Sequence, residues 1–381
     1  MPAAGGNNAD PMSARAVNVL HVVAADVPPG RLRVLRALLA ADFSAGRVVV
    51  IGPRNRELPR PDVHLPRTAL SSYQLRKLLA AEALRAAAPD MVHAWSPQAA
   101  RTTAGALAGL HGAASRPVPP WIWEVGLEER PERLLAALGE KGAAIGGEVV
   151  CSNETAQRRA LAAGVPSDHC HLIRDCADYA AIRAADRTAL RRRLGLADGH
   201  QALVVLPPID RRAGSLSAVW AALVALQVRR DLRIVVPTEG PESERIVRLA
   251  ESCHEREALV VAARFDVYEL LAVGDLALYM PAEPAPLLGV VAALTVGVPI
   301  VATATITNTE LLRHDTSAWL VKPGQIDQAA ARILTALEDP AASRRRADCG
   351  RLMAFGELAQ QRTLDRYRDL YRRMVPRTVS A

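Results

Sequence analysis

Apolar residues along this chain fall into short runs that alternate with longer segments of helical period. Val17–Val23, Arg47–Ile51, Met91–Ala94 and Trp121–Val125 have the length and residue types of buried strands. Between and after them, Arg31–Ala41 carries Leu32, Val34, Leu35, Leu38 and Leu39 as one stripe, and Tyr73–Ala88, Thr102–Leu110 and Glu129–Leu138 also read as helices. Ala143–Val150 leads into a further strand. The alternation resumes with strands at Ala202–Leu206, Arg233–Val236 and Leu259–Ala262 and helices at Ser217–Leu226, Glu242–Glu255 and Tyr268–Val273. Such an order predicts βαβ units on parallel sheets, and the 381 residues suit two domains of that kind.

The block Leu276–Val321 is the most informative. Leu276–Met280 and Ile300–Thr303 are short strand-like runs, and Leu287–Val296 between them is apolar on nearly all sides, so that helix is buried. Pro284 and Pro286 suit a helix start and Gly297 and Pro299 a stop. A helix that begins in a loop after a strand points its free N–H groups beyond the sheet edge, a site suited to phosphate. Gln328–Leu337, Ala341–Ala354 and an amphipathic Glu357–Val375 close the chain.

Composition narrows the partners. Net charge is +7, and with only three lysines arginine carries nearly all of the positive charge. That favours anionic partners such as nucleotide-sugars or acidic lipid surfaces. Arg191–Arg193 and Arg344–Arg346 lie in helix-like segments without interleaved aromatics, so nucleic acid is not an expected partner. No run reaches the roughly 18 apolar residues of a membrane span. Residues 1–15 lack an apolar signal core and read as a flexible tail. Five irregularly spaced cysteines fit a reducing compartment, so the expected location is cytoplasmic, with a peripheral position at the inner membrane face open. His169, Cys170 and His171 read as a short strand whose neighbours point to opposite faces, with no common zinc spacing.

Several motifs stand together in order: Val17–Val22 (VNVLHV), Pro89–Ser96 (PDMVHAWS), Val149–Asn153 (VVCSN) with Leu161–Pro166 (LAAGVP), the Leu276–Val321 block with Val298–Thr303 (VPIVAT), and Trp319–Gly324 (WLVKPG). In this order the chain resembles the family 4 retaining glycosyltransferases, from about residue 16 to 375. The resemblance implies the GT-B fold, an α/β architecture of two Rossmann-like parallel-sheet domains facing across a cleft. It implies residues 16–180 as an acceptor-side domain, 181–356 as a nucleotide-sugar domain, and 357–381 as a helix crossing back to the first. The implied reaction moves a sugar from a nucleotide-sugar to an acceptor hydroxyl with retention, without metal or other cofactor. The acceptor (glycan, lipid or small molecule) is left open.

Departures from the family pattern are concentrated at the donor site. Pro208 and Ala213 stand where the family's diphosphate-binding Arg and Lys are expected, and Arg211 and Arg212 lie nearby. Glu283 sits one place before the first family Glu, and Ala292 takes the second, ribose-binding position. Ile306 and Thr307 replace a glycine pair, although Glu310 is kept. The resemblance nevertheless implies roles. Backbone N–H groups of Leu287, Leu288 and Gly289 would hold the diphosphate with Arg211, Arg212 and Glu310, Glu283 would contact the sugar, and His93 and Glu124 would face the acceptor. Each also has an ordinary reading: a turn histidine for His93, a solvated charge for Glu283, surface arginines for Arg211 and Arg212, an Arg partner for Glu124. The alternative function is a catalytically silent GT-B protein that binds a partner.

Overall fold

The computed structural model describes residues 16–53, 58–65, 72–83, 89–111, 118–127, 132, 147–177, 179–182, 186–237, 240–262 and 265–375. The expected tail 1–15 and nearly all of the expected helix Glu129–Leu138 lie outside the described residues.

The first half builds a sheet from β1 (Val17–Ala24), β2 (Ser44–Ile51), β3 (Val63–Leu65), β4 (Met91–Ala94), β5 (Trp121–Val125), β6 (Gly147–Cys151) and β7 (Cys170–Leu172). Its spatial order is β3-β2-β1-β4-β5-β6-β7. The helices α1 (Pro29–Leu39), α2 (Ser72–Ala83), α3 (Pro97–His111) and α4 (Glu154–Ala162) connect the strands. Every strand pair is parallel, which requires crossover helices and buries both faces of the sheet. That is why these strands read as continuous apolar runs.

The short helices α5 (Tyr179–Ile182) and α6 (Arg187–Arg193) lead into the second half. There β8 (Gln201–Val205), β9 (Leu232–Pro237), β10 (Leu259–Ala262), β11 (Leu276–Tyr279), β12 (Ile300–Thr303) and β13 (Trp319–Val321) form a parallel sheet in the order β10-β9-β8-β11-β12-β13. The helices are α7 (Ser215–Leu226), α8 (Ser243–Ser252), α9 (Val267–Val273), α10 (Leu288–Val296), α11 (Asn308–Leu311), α12 (Ile326–Glu338), α13 (Pro340–Glu357) and α14 (Gln360–Met374). In α10, Gly289 to Thr295 are all buried, as its all-round apolar sequence predicts. It ends where Gly297 takes a left-handed φ of 81°, a conformation glycine adopts without a Cβ clash.

The last helix packs back on the first sheet. Leu364, Tyr367, Leu370 and Tyr371 of α14 share one apolar cluster with Val19, Val23, Leu35 and Ile122. No helix among the described residues is long and apolar enough to cross a membrane.

Candidate active site

Each sheet has one place where the strand order reverses: between β1 and β4, and between β8 and β11. Loops leaving the carboxyl ends of neighbouring strands part there, and open α/β sheets bind ligands in that crevice. The two crevices face one another across a cavity of about 680 Å³, in the range of small-molecule sites. Its first-domain wall includes Pro29, Arg33 and Arg36 of α1 with Ser152 and Asn153. Its second-domain wall includes Pro207, Pro208 and Asp210 after β8, Phe265 and Asp266 before α9, and Leu287 and Leu288 at the start of α10.

The α10 entrance is held in place by its surroundings. Tyr279 Oη donates to Pro286 O at 2.5 Å, and Thr303 Oγ1 donates to Pro281 O at 2.5 Å. Gly289 lies so close to the β8 loop that a Cβ there would sit 2.8 Å from Pro207 O. Val291 N–H is bonded back to Leu287 O at 2.8 Å, so the N–H groups of the preceding turn have no partner of the helix's own. Those groups and the positive end of the helix dipole face the cavity where Leu287 and Leu288 line it.

The β8 loop offers no cation to the cavity. Pro208 lines it, while Ala213 is buried and gives its N–H to Asp210 Oδ1 at 2.8 Å. Arg211 and Arg212 are exposed on the turn and do not line the cavity. The turn faces away because Gly214, at a left-handed φ of 69°, packs its Cα against Met280 O, where a Cβ would come within 1.9 Å. Ala292 is fully buried, so the position expected to bind ribose is part of the core. Glu283 is exposed in the loop after β11 and is not part of the cavity wall.

His93 and Glu124 were expected on the acceptor side of the cleft; the structure places both inside the first domain. His93 is 0% exposed, with Nε2 2.9 Å from Glu124 Oε1 and Nδ1 2.8 Å from Tyr371 Oη. Glu124 also accepts from Tyr367 Oη at 2.6 Å and pairs with Arg31 Nε at 3.1 Å, and Arg31 donates to Ile173 O at 2.8 Å. Both tyrosines come from α14, which covers the end of β4 that would otherwise open to the cleft. With the carboxylate as acceptor, His93 carries its proton on Nε2 and accepts from Tyr371 on Nδ1. Burial lowers the His93 pKa although Glu124 opposes it, so the ring is neutral. Burial also works against the charge of Arg31, but Glu124, Tyr367 and Asp175 outweigh it and its pKa is raised.

Glu310 was expected at the donor and instead ties the two domains together. Its carboxylate accepts from Glu154 N at 2.8 Å, Thr155 N at 2.9 Å and Thr155 Oγ1 at 2.7 Å. It thus caps the N-terminus of α4, next to the Asn153 side chain that accepts from Ala156 N. Thr307, in the lost glycine pair, is buried, and its hydroxyl accepts from Ala285 N at 3.3 Å. Of the residues expected to bind donor, the structure brings only Leu287 and Leu288 to the cavity wall, with Gly289 just behind. It adds Arg33 and Arg36, whose i, i+3 spacing on the first helix after β1 was the available sequence signal. Among the described residues, no three His, Cys, Asp or Glu converge as metal ligands.

Two parallel sheets with a cleft at their facing switch points match known GT-B proteins. Residues 187–352 match the model of the family Glycosyl transferases group 1. The whole fold is similar to Anabaena HepE, solved with UDP and glucose, at a TM-score of 0.78 and 17% identity over 92% of this chain and 98% of that one. It is also similar to a glycosyltransferase from Rickettsia africae, at a TM-score of 0.75 and 13% identity over 96% and 100% of the two chains. At these identities the likeness shows the GT-B fold. In sequence, N-acetyl-alpha-D-glucosaminyl L-malate synthase of Bacillus anthracis is 22% identical over 187 residues. The match covers 49% of this chain and 49% of that curated relative, about half its length.

Proposed function

We propose that this protein is a glycosyltransferase that moves a sugar from a nucleotide-sugar donor to an acceptor hydroxyl, with retention of configuration and without a metal. The observation that carries the reading is the cavity between the two switch points, entered by the N-terminus of α10. A leaving nucleoside diphosphate gathers negative charge as the glycosidic bond breaks. Preorganised donors at that point lower the barrier most, because they need no rearrangement in the transition state. The N–H groups at Leu288 and Gly289 supply such donors whatever side chains surround them. Anabaena HepE has been solved with UDP and UDP-glucose, which supports a nucleotide-sugar as the donor class.

The acceptor approaches from the first-domain wall, where Ser152 and Asn153 line the cavity. A cytoplasmic setting, with peripheral contact to an anionic membrane, accords with the +7 net charge. A second reading, a silent GT-B protein, is favoured by Pro208, Ala213 and Ala292 at the expected donor positions. Donor hydrolysis separates the two. Purified protein incubated with UDP-, GDP- and ADP-sugars should release one nucleoside diphosphate slowly, and faster with an acceptor. Binding of a nucleotide without any release under either condition would favour the silent protein.

A further inference from the structure

The β8 loop carries no cation into the cavity, yet a diphosphate needs compensating charge there. The only described cations on the wall are Arg31, Arg33 and Arg36, all from α1 of the first domain. Arg31 is committed to Glu124 and Asp175, at 3.1 and 3.6 Å. Arg33 differs. Its Nη1 donates to Tyr268 Oη at 2.7 Å and its guanidinium lies over the Tyr268 ring, 4.9 Å from the centroid. Among the described residues no carboxylate oxygen lies within salt-bridge distance of it; Asp175 on the same wall feels its charge but is already paired with Arg31, so the Arg33 guanidinium remains open to a ligand in the cavity.

Tyr268 is fixed. It is buried at the start of α9, where Asp266 accepts its N–H at 2.8 Å within a capping box with Glu269. A guanidinium held by a rigid neutral partner keeps most of its donors for a ligand and loses little rotamer freedom on binding. Arg36 lies one turn further along the same wall.

We propose that Arg33 is the side chain that meets the donor's diphosphate, so that the clamp is divided between the domains: α10 N–H groups on one side, a first-domain guanidinium on the other. This inference rests on the nucleotide-sugar reading of the cavity. It means that the charge lost from the β8 loop is replaced across the cleft. It also means that the diphosphate is gripped only when the two domains are together, since Arg33 reaches Tyr268 of the second domain.

The test is isothermal titration of UDP, GDP and ADP, each beside its own nucleoside, into the full-length wild type and the variants Arg33→Gln, Arg33→Lys and Tyr268→Phe. One charge-assisted contact corresponds to roughly tenfold or more in affinity. Arg33→Gln should therefore weaken the bound diphosphate by at least about tenfold and leave its nucleoside within about twofold, with Arg33→Lys in between. Tyr268→Phe keeps the ring under the guanidinium and should keep the preference for diphosphate. If Arg33→Gln retains that preference, the assignment of Arg33 is wrong while the nucleotide reading stands. Equal losses in Tyr268→Phe and Arg33→Gln would show a domain bridge and overturn the ligand role. A wild type that binds none of the six compounds would overturn the nucleotide reading itself.

Discussion

Replacing Glu124 by alanine strikes the centre of the buried network that joins the first domain to α14. The side chain is 1% exposed and holds three partners: Tyr367 Oη at 2.6 Å, His93 Nε2 at 2.9 Å and Arg31 Nε at 3.1 Å. Removing one member of a buried ion pair strands the other and costs about 3–5 kcal/mol. Arg31 keeps Ile173 O, and Asp175 lies 3.6 Å away, so the loss should fall at the lower end, about 3 kcal/mol. For a unit of 150–250 residues that lowers the melting temperature by roughly 6–12 °C. Trp95, Trp121 and Trp123 are buried in the first domain and their fluorescence reports its unfolding. Susceptibility of α14 to limited proteolysis should rise in parallel, because Tyr367 loses its carboxylate acceptor and His93, to which Tyr371 donates, loses the partner that orients it. The double variant Arg31→Met with Glu124→Met removes the central ion pair and leaves only Asp175, which is one-fifth exposed, without its Arg31 partner, so it should recover part of the loss. A Glu124→Ala protein that melts within about 2 °C of wild type, with α14 still protected, would refute the claim that this network holds the helix.

Burial lowers the pKa of His21, with help from His93, and lowers that of His93, so the native state binds fewer protons than the unfolded chain. Stability should be level above pH 7 and fall as pH drops below 6.5, by at most about 1.4 kcal/mol per pH unit for each histidine. Asp175, raised by burial, acts in the opposite sense at lower pH, so the decline measured by urea midpoints should steepen below 6.5 and then be blunted as Asp175 takes up its proton. A profile flat from pH 8 to 5.5 would contradict the neutral assignment of both rings. Glu310→Ala should cut hydrogen-exchange protection of the Glu154 and Thr155 amides by at least about tenfold, and unchanged protection would show that the contact is not maintained in solution. Because Arg211 and Arg212 lie outside the cavity wall, substituting both by alanine should alter nucleoside diphosphate affinity less than about twofold, against the larger loss for Arg33→Gln. A tenfold loss would return the clamp to the β8 loop.

Elements fixed by local pattern were legible in the sequence. The β-branched runs at Val17–Ala24 and Ile300–Thr303 and the all-apolar α10 sit where their periodicity puts them, because two-sided burial leaves a plain apolar signal. β3 is not legible, since Val63–Leu65 is a lone short run flanked by Pro61 and Pro66 and reads as loop. Site residues were harder for a different reason. His93 ends a strand at the first switch point, where such folds place chemistry, but its exposure is decided by α14, some 270 residues later in the chain. Glu310 follows β12 as a donor residue would, yet its partners Glu154 and Thr155 belong to the other domain. Arg33 sits on the polar face of an ordinary amphipathic helix. Only the meeting of the two domains gives it Tyr268 as a partner.

A thermal-shift titration of the purified protein with UDP, GDP, ADP and their sugar conjugates tests most directly whether the cavity binds a nucleotide-sugar. A ligand present at 100 times its dissociation constant stabilises the folded state by about 2.7 kcal/mol, enough to move the melting temperature visibly. A dose-dependent rise with one nucleotide and its sugar conjugate is expected. No rise with any of them at millimolar concentration would contradict it.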